Sequence, residues 1–192
     1  MTETAPLPGF VFRTIDELAQ RCGQYCWIEN RLFALTGMWA GTPMMAGTPT
    51  AAGLPIAPGA SAPIEAEMRV IASEMSWWHG FVAGQWRDRL PVRAGVDAEA
   101  LVVAPPGPLG PALELLEAET DLTRALGGLT EQILPALLVA YDEHLAQASP
   151  VSEAPVCALL GLVRPRIQLE IEGGRELQLR GRGALGKASE GA

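Results

Sequence analysis

Residues 14–40, TIDELAQRCGQYCWIENRLFALTGMWA, set the reading of the whole chain. Thr14 is followed three residues later by Glu17, a spacing at which hydroxyl and carboxylate each satisfy a free amide at a helix start. Beyond that cap Ile15, Leu18, Cys22, Cys26, Glu29 and Phe33 recur every three or four residues, one stripe of an amphipathic helix. All but Glu29 are apolar, and a carboxylate on a buried stripe costs free energy unless it finds a partner.

Outward from this helix, residues 41–60 (GTPMMAGTPTAAGLPIAPGA) form a connection longer than compact domains usually carry. It reads either as a lid folded over the bundle end through Met44, Met45, Leu54 and Ile56, or as a disordered segment. A second helix is expected from Ser61 to Arg89, with Ser61 as cap, Pro63 in the first turn and an end before Pro91. Its stripe runs Ile64, Met68, Ile71, Met75, Trp78 or His79, Val82, Trp86.

After the Pro-rich stretch APPGPLGP (104–111), a third helical region runs from near Pro111 through LELLEAETDLTRAL, with a break or kink expected at Gly127–Gly128. Residues 129–147 continue as a helix bent at Pro135, with the stripe Leu134, Leu137, Tyr141, His144. The last segment is comfortable as a helix from Val151 to Val163. IQLEIEGGRELQLR (167–180) then alternates around Gly173–Gly174 as a β-hairpin would. An isolated hairpin is only marginally stable, so continued helix with a kink near Pro165 is the favoured reading. The expectation is an all-α chain, one domain over 1–192, forming an antiparallel four-helix bundle with long Pro/Gly-rich connections. Residues 1–13 are read as an arm and 181–192 as a frayed tail.

Composition narrows the function classes. The chain has 192 residues, 48% hydrophobic and 19% charged, enough for a sizeable core without disulfides or structural metal. A formal net charge of -8 and scattered arginines leave no basic stripe to displace counterions, so no nucleic-acid partner is expected. No apolar run approaches the roughly 18 residues of a membrane span, so no membrane partner is expected either. The opening MTETAPLPGF has no basic region before an apolar run, so no secretion signal is read and a cytoplasmic location is expected. Cys22 and Cys26, one helical turn apart, read as buried small hydrophobes, because zinc would need more soft ligands than His79 and His144 supply. Neither a GxSxG elbow nor a phosphate loop is present.

The candidate chemistry lies in polar groups on inward stripes: Glu29, His79, Tyr141 and His144, expected as proton-transfer or hydrogen-bonding groups. Five tryptophans, Trp27, Trp39, Trp77, Trp78 and Trp86, crowd the first two helices. Flat aromatic walls beside a few polar groups suit a small-molecule pocket, with Trp27, Phe33, Met75, Trp78, Val82 and Leu137 as candidate substrate-binding residues.

CWIENRLFALTGMW (26–39), WWHGFVAGQWRDRLP (77–91) and LPALLVAYDEHLAQASPVSEAPV (134–156) together resemble a bacterial branch of the ferritin-like helical-bundle superfamily, over about residues 20–175. The resemblance implies a four-helix antiparallel bundle whose two helix pairs are joined by a long crossover. Members with a two-metal site take one Glu from each of two helices and an ExxH motif from each of the others. Here Ser76 stands three residues before His79 and Tyr141 three before His144, so neither histidine has its ExxH carboxylate. Glu29 matches a first-helix carboxylate position, whereas Glu74, five residues before His79, lies on another face. A degenerate metal site is implied, with no metal ligands and no cofactor assigned.

The function expected from these residues is a metal-independent bundle that binds a small, largely apolar organic molecule. A tailoring enzyme of specialised metabolism, performing a cyclisation, isomerisation or dehydration, fits that description. Two alternatives stand beside it: a diiron-type, metal-dependent oxygenase with atypical ligands, and a non-catalytic homodimerising or partner-binding bundle.

Overall fold

The computed structural model describes residues 13–41, 62–92 and 94–189, and in this range the chain is helical with no β-strand. The elements are α1 (Ile15–Gly41), α2 (Ala62–Arg87), a 3-10 turn (Glu99–Leu101), α3 (Leu109–Glu117), α4 (Leu122–Gly128), a π-helical turn (Leu129–Ile133), α5 (Leu134–Gln147) and α6 (Ala154–Ser189). The lid-or-disorder segment apart from Gly41, the arm before Arg13 and the Ser61 cap lie outside the described residues.

α1 starts as its capping pattern predicts. The Thr14 amide donates to Glu17 Oε2 at 2.7 Å, and the Glu17 amide donates back to Thr14 Oγ1 at 3.2 Å. Its buried face then departs from the expected stripe. Cys22, Cys26 and Glu29 are buried, but the stripe continues through Leu32, Leu35 and Thr36, leaving Ile15 and Phe33 largely in solvent. Ile15 and Phe33, five full turns apart, share one angle on the helix, and toward the C-terminal end the buried face rotates away from that angle to Leu32, Leu35, Thr36 and Trp39. α1 packs along α2, close enough for the Cys26 thiol to donate to the Ala83 carbonyl at 3.5 Å. On α2 the buried positions are Met68, Ala72, Met75, Ser76, His79, Val82, Ala83 and Trp86.

The third region differs from its reading in two places. The break comes at residues 118–121, where Asp121 caps α4 by accepting from the Arg124 amide at 2.9 Å. At Gly127–Gly128, where a break or kink was expected, the chain does not break: α4 passes directly into the π turn. A Cβ on Gly128 would stand 2.7 Å from Leu116 Cδ1, so the missing side chain admits α3. The π turn immediately precedes Pro135, whose ring and absent N–H disrupt regular α hydrogen bonding; widening the turn is one way to absorb it.

α6 settles the hairpin question. It is one helix from Ala154 to Ser189, through Pro165 and Gly173–Gly174, and it continues past Gly181, where fraying was expected. Gly174 is a contact point, since a Cβ there would lie 2.2 Å from Thr130 Cγ2 of the π turn. The alternating residues of 167–180 are sorted by helical period: Ile167, Glu170, Ile171, Leu177 and Gln178 turn inward, and Leu169 and Leu179 face solvent.

Candidate functional site

The centre of the fold is aromatic and filled. Tyr25 (α1), Trp86 (α2) and Tyr141 (α5) pack with ring centroids 4.7–5.8 Å apart, Tyr25 meeting Tyr141 edge-on. From this cluster a line of polar groups crosses the interior. Trp86 Nε1 donates to the Tyr141 hydroxyl at 3.2 Å, and that hydroxyl donates to Glu29 Oε1 at 2.6 Å. Glu29 Oε2 faces His79 Nδ1 at 2.5 Å. On the other side of the imidazole, His79 Nε2 lies 3.5 Å from Glu170 Oε2 on α6, close enough for an ion pair but with neither atom in a hydrogen bond. Arg166, one turn earlier, donates from Nε to Glu170 Oε1 at 3.1 Å.

Glu29, His79 and Tyr141 have no exposed surface, and Glu170 has 6%. Burial would by itself push the His79 imidazole down, but the Glu29 and Glu170 carboxylates outweigh it and the net direction is up, with Arg166 opposing. Glu170 is also pushed up, by burial, against the pull of His79 and Arg166. Burial and the facing Glu29 carboxylate lift the Tyr141 phenol well above its ordinary range, so it stays a hydroxyl.

His144 does not join this set. It lies across Tyr25, whose ring it stacks against at 5.7 Å, and its Nε2 is 2.9 Å from Glu153 Oε2. Glu153 also accepts from the Ser149 amide at 3.2 Å and from Arg13 Nη1 at 3.3 and 3.4 Å, while Arg13 Nη2 reaches Gln147 at 3.0 Å. Burial pushes the His144 imidazole down, opposed by its bond to Glu153. For Glu153, burial alone would raise the carboxyl, but His144, the Ser149 amide and Arg13 bring it below its usual range.

Of the expected substrate-binding residues, Met75, Val82 and Leu137 are core. Trp27 is half-buried beneath the Arg31 guanidinium at 5.3 Å, and Phe33, 47% exposed, packs over Gly80 rather than into the interior. Trp78 is half-buried under Arg166 at 5.9 Å, at the edge of an open cleft of about 580 Å³ lined by Ser73, Glu74, Trp77, Trp78 and Arg166. The tryptophans do not form one wall: Trp86 is in the centre, Trp39 lines a separate cleft of about 260 Å³ at the far end of α1, and Trp77 is 70% exposed.

The two-metal centre of those family members that carry one does not fit these donors. Glu29 and Glu170 approach opposite nitrogens of one imidazole, whereas a metal would need its ligands to converge on one point. His144 is turned to Glu153, and no group of three or more His, Cys, Asp or Glu among the described residues is arranged to hold a metal ion. Cys22 and Cys26 are free and buried, with the Cys22 thiol pushed up to about 11 by burial.

Glu170, Arg166 and Glu153 were missed in the sequence. A helical reading of 160–178 carried through the glycines puts Glu170 on the stripe of Leu160, Val163, Ile167, Ile171 and Leu177, which is the signal that could have found it. Family models, curated proteins and solved structures were compared with the chain, and none matched.

Proposed function

We propose that this chain is a ferritin-like, antiparallel four-helix bundle that works without metal, binding a small, largely apolar organic molecule and handling protons through Glu29, His79, Glu170 and Tyr141. One observation carries the reading: a fully buried imidazole with a carboxylate at each ring nitrogen. Two carboxylates, one imidazole and a shared guanidinium can hold different numbers of protons at similar cost, which is what an acid–base relay requires. Glu170 is the member nearest solvent, beneath Arg166 and the Trp78 cleft, so it is the group that exchanges a proton with a bound molecule. Such a site suits an isomerisation, a cyclisation or a dehydration, each of which moves protons with no net redox change. That is the chemistry of a tailoring enzyme, in a cytoplasmic setting.

Metal analysis of the purified protein, combined with imidazole ¹⁵N spectra from about pH 5 to pH 9, tests this. The expected result is a His79 resonance titrating above the ordinary histidine range and no stoichiometric iron, manganese or zinc. Stoichiometric metal that perturbs the His79 signal returns the protein to the oxygenase alternative. The exposed Trp77, Phe81 and Val70 on α2 favour a second reading, a homodimerising face, which the mass in solution decides.

A further inference from the structure

The two sides of the His79 imidazole are built differently. On the Nδ1 side the direction of every hydrogen bond is fixed by its far end. An indole nitrogen can only donate, so the Tyr141 oxygen must accept from Trp86 Nε1 at 3.2 Å. The one hydrogen of the phenol is then left for Glu29 Oε1, at 2.6 Å, the length of a bond to an ionised carboxylate. Tyr141 keeps that hydrogen, because burial and the facing Glu29 carboxylate hold the phenol well above its ordinary range. Glu29 therefore accepts on Oε1, and its Oε2 faces Nδ1 at 2.5 Å as the acceptor of an imidazole N–H.

On the Nε2 side nothing is fixed. Nε2 and Glu170 Oε2 are both buried, 3.5 Å apart, and neither has a hydrogen-bond partner among the described residues. Glu170 Oε1 accepts from Arg166 Nε at 3.1 Å, which takes only a lone pair that Glu170 keeps with or without a proton on Oε2. Two facing orphan atoms are satisfied by one proton between them; with none, lone pairs oppose each other, and with two, hydrogens do. That proton can sit on Nε2 beside a carboxylate, or on Oε2 beside a neutral imidazole. Moving it breaks the N–H bond, leaves the electron pair on Nε2 and makes an O–H bond at Oε2, with no change in the charge of the set. The charged and titratable groups facing the imidazole are Glu29 from α1, Glu170 and Arg166 from α6 and, behind Glu29, the Tyr141 phenol from α5. Burial pushes the Glu170 carboxyl up, toward the range of an imidazole.

We infer that the working proton of this protein lies in the gap between His79 Nε2 and Glu170 Oε2, while the chain Trp86–Tyr141–Glu29 holds a second proton permanently on Nδ1. Trp86, Tyr141 and Glu29 are positioning residues: they set the tautomer and leave Nε2 as the nitrogen that gives and takes. This divides roles within the proton-handling set proposed above and rests on that reading. A bound molecule is served through Glu170, on the side where Arg166 borders the cleft, and not through Glu29 or Tyr141.

The test follows the ¹⁵N signals of both His79 ring nitrogens in the full-length chain from about pH 5 to pH 10, with His144→Gln telling the two histidines apart. The expected result is an Nδ1 that stays protonated throughout and an Nε2 that passes from N–H to lone-pair character as pH rises. In Glu170→Gln the Nε2 midpoint should fall by about 1–3 pH units, the effect of one facing carboxylate, with Nδ1 unchanged. In Tyr141→Phe the direction of the chain is lost, so part of the neutral imidazole should carry its proton on Nε2 instead. A purely structural Tyr141 would lower stability and leave the tautomer as it is in the parent, an outcome that overturns the chain. An unchanged Nε2 midpoint in Glu170→Gln overturns the gap. An Nδ1 that loses its proton in the parent protein overturns the inference without any variant and leaves the proton-handling reading standing. A His79 that keeps one protonation state over the whole range removes both.

Discussion

Two histidines sit against glutamates inside this molecule, and they are built in different ways. The His144–Glu153 pair is closed at its carboxylate, although His144 Nδ1, like His79 Nε2, is buried with no hydrogen-bond partner among the described residues. Its carboxylate is shared by an imidazole, a backbone amide and an arginine, and those partners tie the start of α1 to the end of α5 and the start of α6. The His79 set is open: two carboxylates compete for one imidazole, and His79 Nε2 and Glu170 Oε2 face each other without a hydrogen bond. Burial acts on both histidines in the same direction, yet the net pull is up for His79 and down for His144. The number of facing carboxylates, set against nearby arginines, decides the sign. A clamp and a proton store can therefore be made from the same two residue types.

The largest expected effect separates the two by removing each imidazole. His79→Leu leaves Glu29 and Glu170 buried with no cation between them, at a cost of about 3–5 kcal/mol. In a domain of this size that is a fall of roughly 10 °C in the thermal midpoint, measured by circular dichroism. Adding Glu29→Gln to that variant should recover part of the loss, because one of the stranded charges is gone. His144→Leu leaves Glu153 its Ser149 amide and Arg13, so it should cost only about 1–2 kcal/mol. Equal losses at the two positions would mean that the His79 set is a structural clamp as well.

Next comes the hydroxyl that joins the open set to the aromatic centre. Tyr141→Phe strands both Glu29 Oε1 and Trp86 Nε1, two buried polar atoms, and should cost about 1–3 kcal/mol in denaturant unfolding. Tyr25→Phe removes a single 3.2 Å bond to the Ala140 carbonyl and should cost no more than about 1 kcal/mol. A Tyr141→Phe variant as stable as Tyr25→Phe would show that the phenol is not held by the Glu29 carboxylate.

Much of this layout was readable before any coordinates, and the exceptions share a cause. The stripes through Cys22, Cys26 and Glu29 on α1, and through Met75, His79 and Trp86 on α2, follow from periodicity alone, because long helices repeat it many times. Tyr141 and His144 were both correctly read as inward. Three residues apart they were expected to share one site, yet they serve two: both rings pack on Tyr25, but Tyr141 reaches Glu29 on α1 and His144 reaches Glu153 just before α6. Glu170 was missed because, with hairpin and helix both weighed for 167–180, no inward stripe was drawn there; the helix wins where Gly174 leaves Thr130 the space a side chain would fill. Phe33 was placed inside by extending a straight stripe, whereas the buried face of α1 turns toward Leu32, Leu35 and Trp39 at that end. Periodicity says which face is inward; which neighbour arrives there is a tertiary fact.

The two sets should also answer pH with opposite slopes. His79 is raised in the folded state, so its contribution is complete below the unfolded value near 6.5 and is lost as pH rises through the folded value. Glu170, also raised, contributes fully below the unfolded carboxylate value near 4.5 and loses that contribution as pH rises through its own folded value. His144 is lowered, so the folded state binds fewer protons there than the unfolded chain, and its contribution is present above about 6.5 and lost as pH falls through the folded value. Each slope is at most about 1.4 kcal/mol per pH unit per proton. Unfolding free energies measured across this window should fall as pH rises in the parent protein; His79→Gln should remove the part that follows the imidazole and leave the part that follows Glu170, and in His144→Gln the acid-side fall should shrink. The same slope in both variants would remove the distinction between the pairs.

The smallest effect probes what keeps the closed pair closed. The Ser149 hydroxyl accepts from the Val151 and Ser152 amides at 3.4 and 3.3 Å, at the start of α6, while its own amide holds Glu153. Ser149→Ala removes the hydroxyl and keeps the amide, so it should cost about 0.5–1 kcal/mol, the lower part of the range for a lost cap. Because the amide-to-Glu153 bond survives, the His144 titration midpoint should stay where it is in the parent protein. A midpoint that moves toward the ordinary histidine value would show that the clamp is held by the hydroxyl's turn rather than by the carboxylate's own partners. The His144 pair would then be as open to change as the His79 set it is contrasted with.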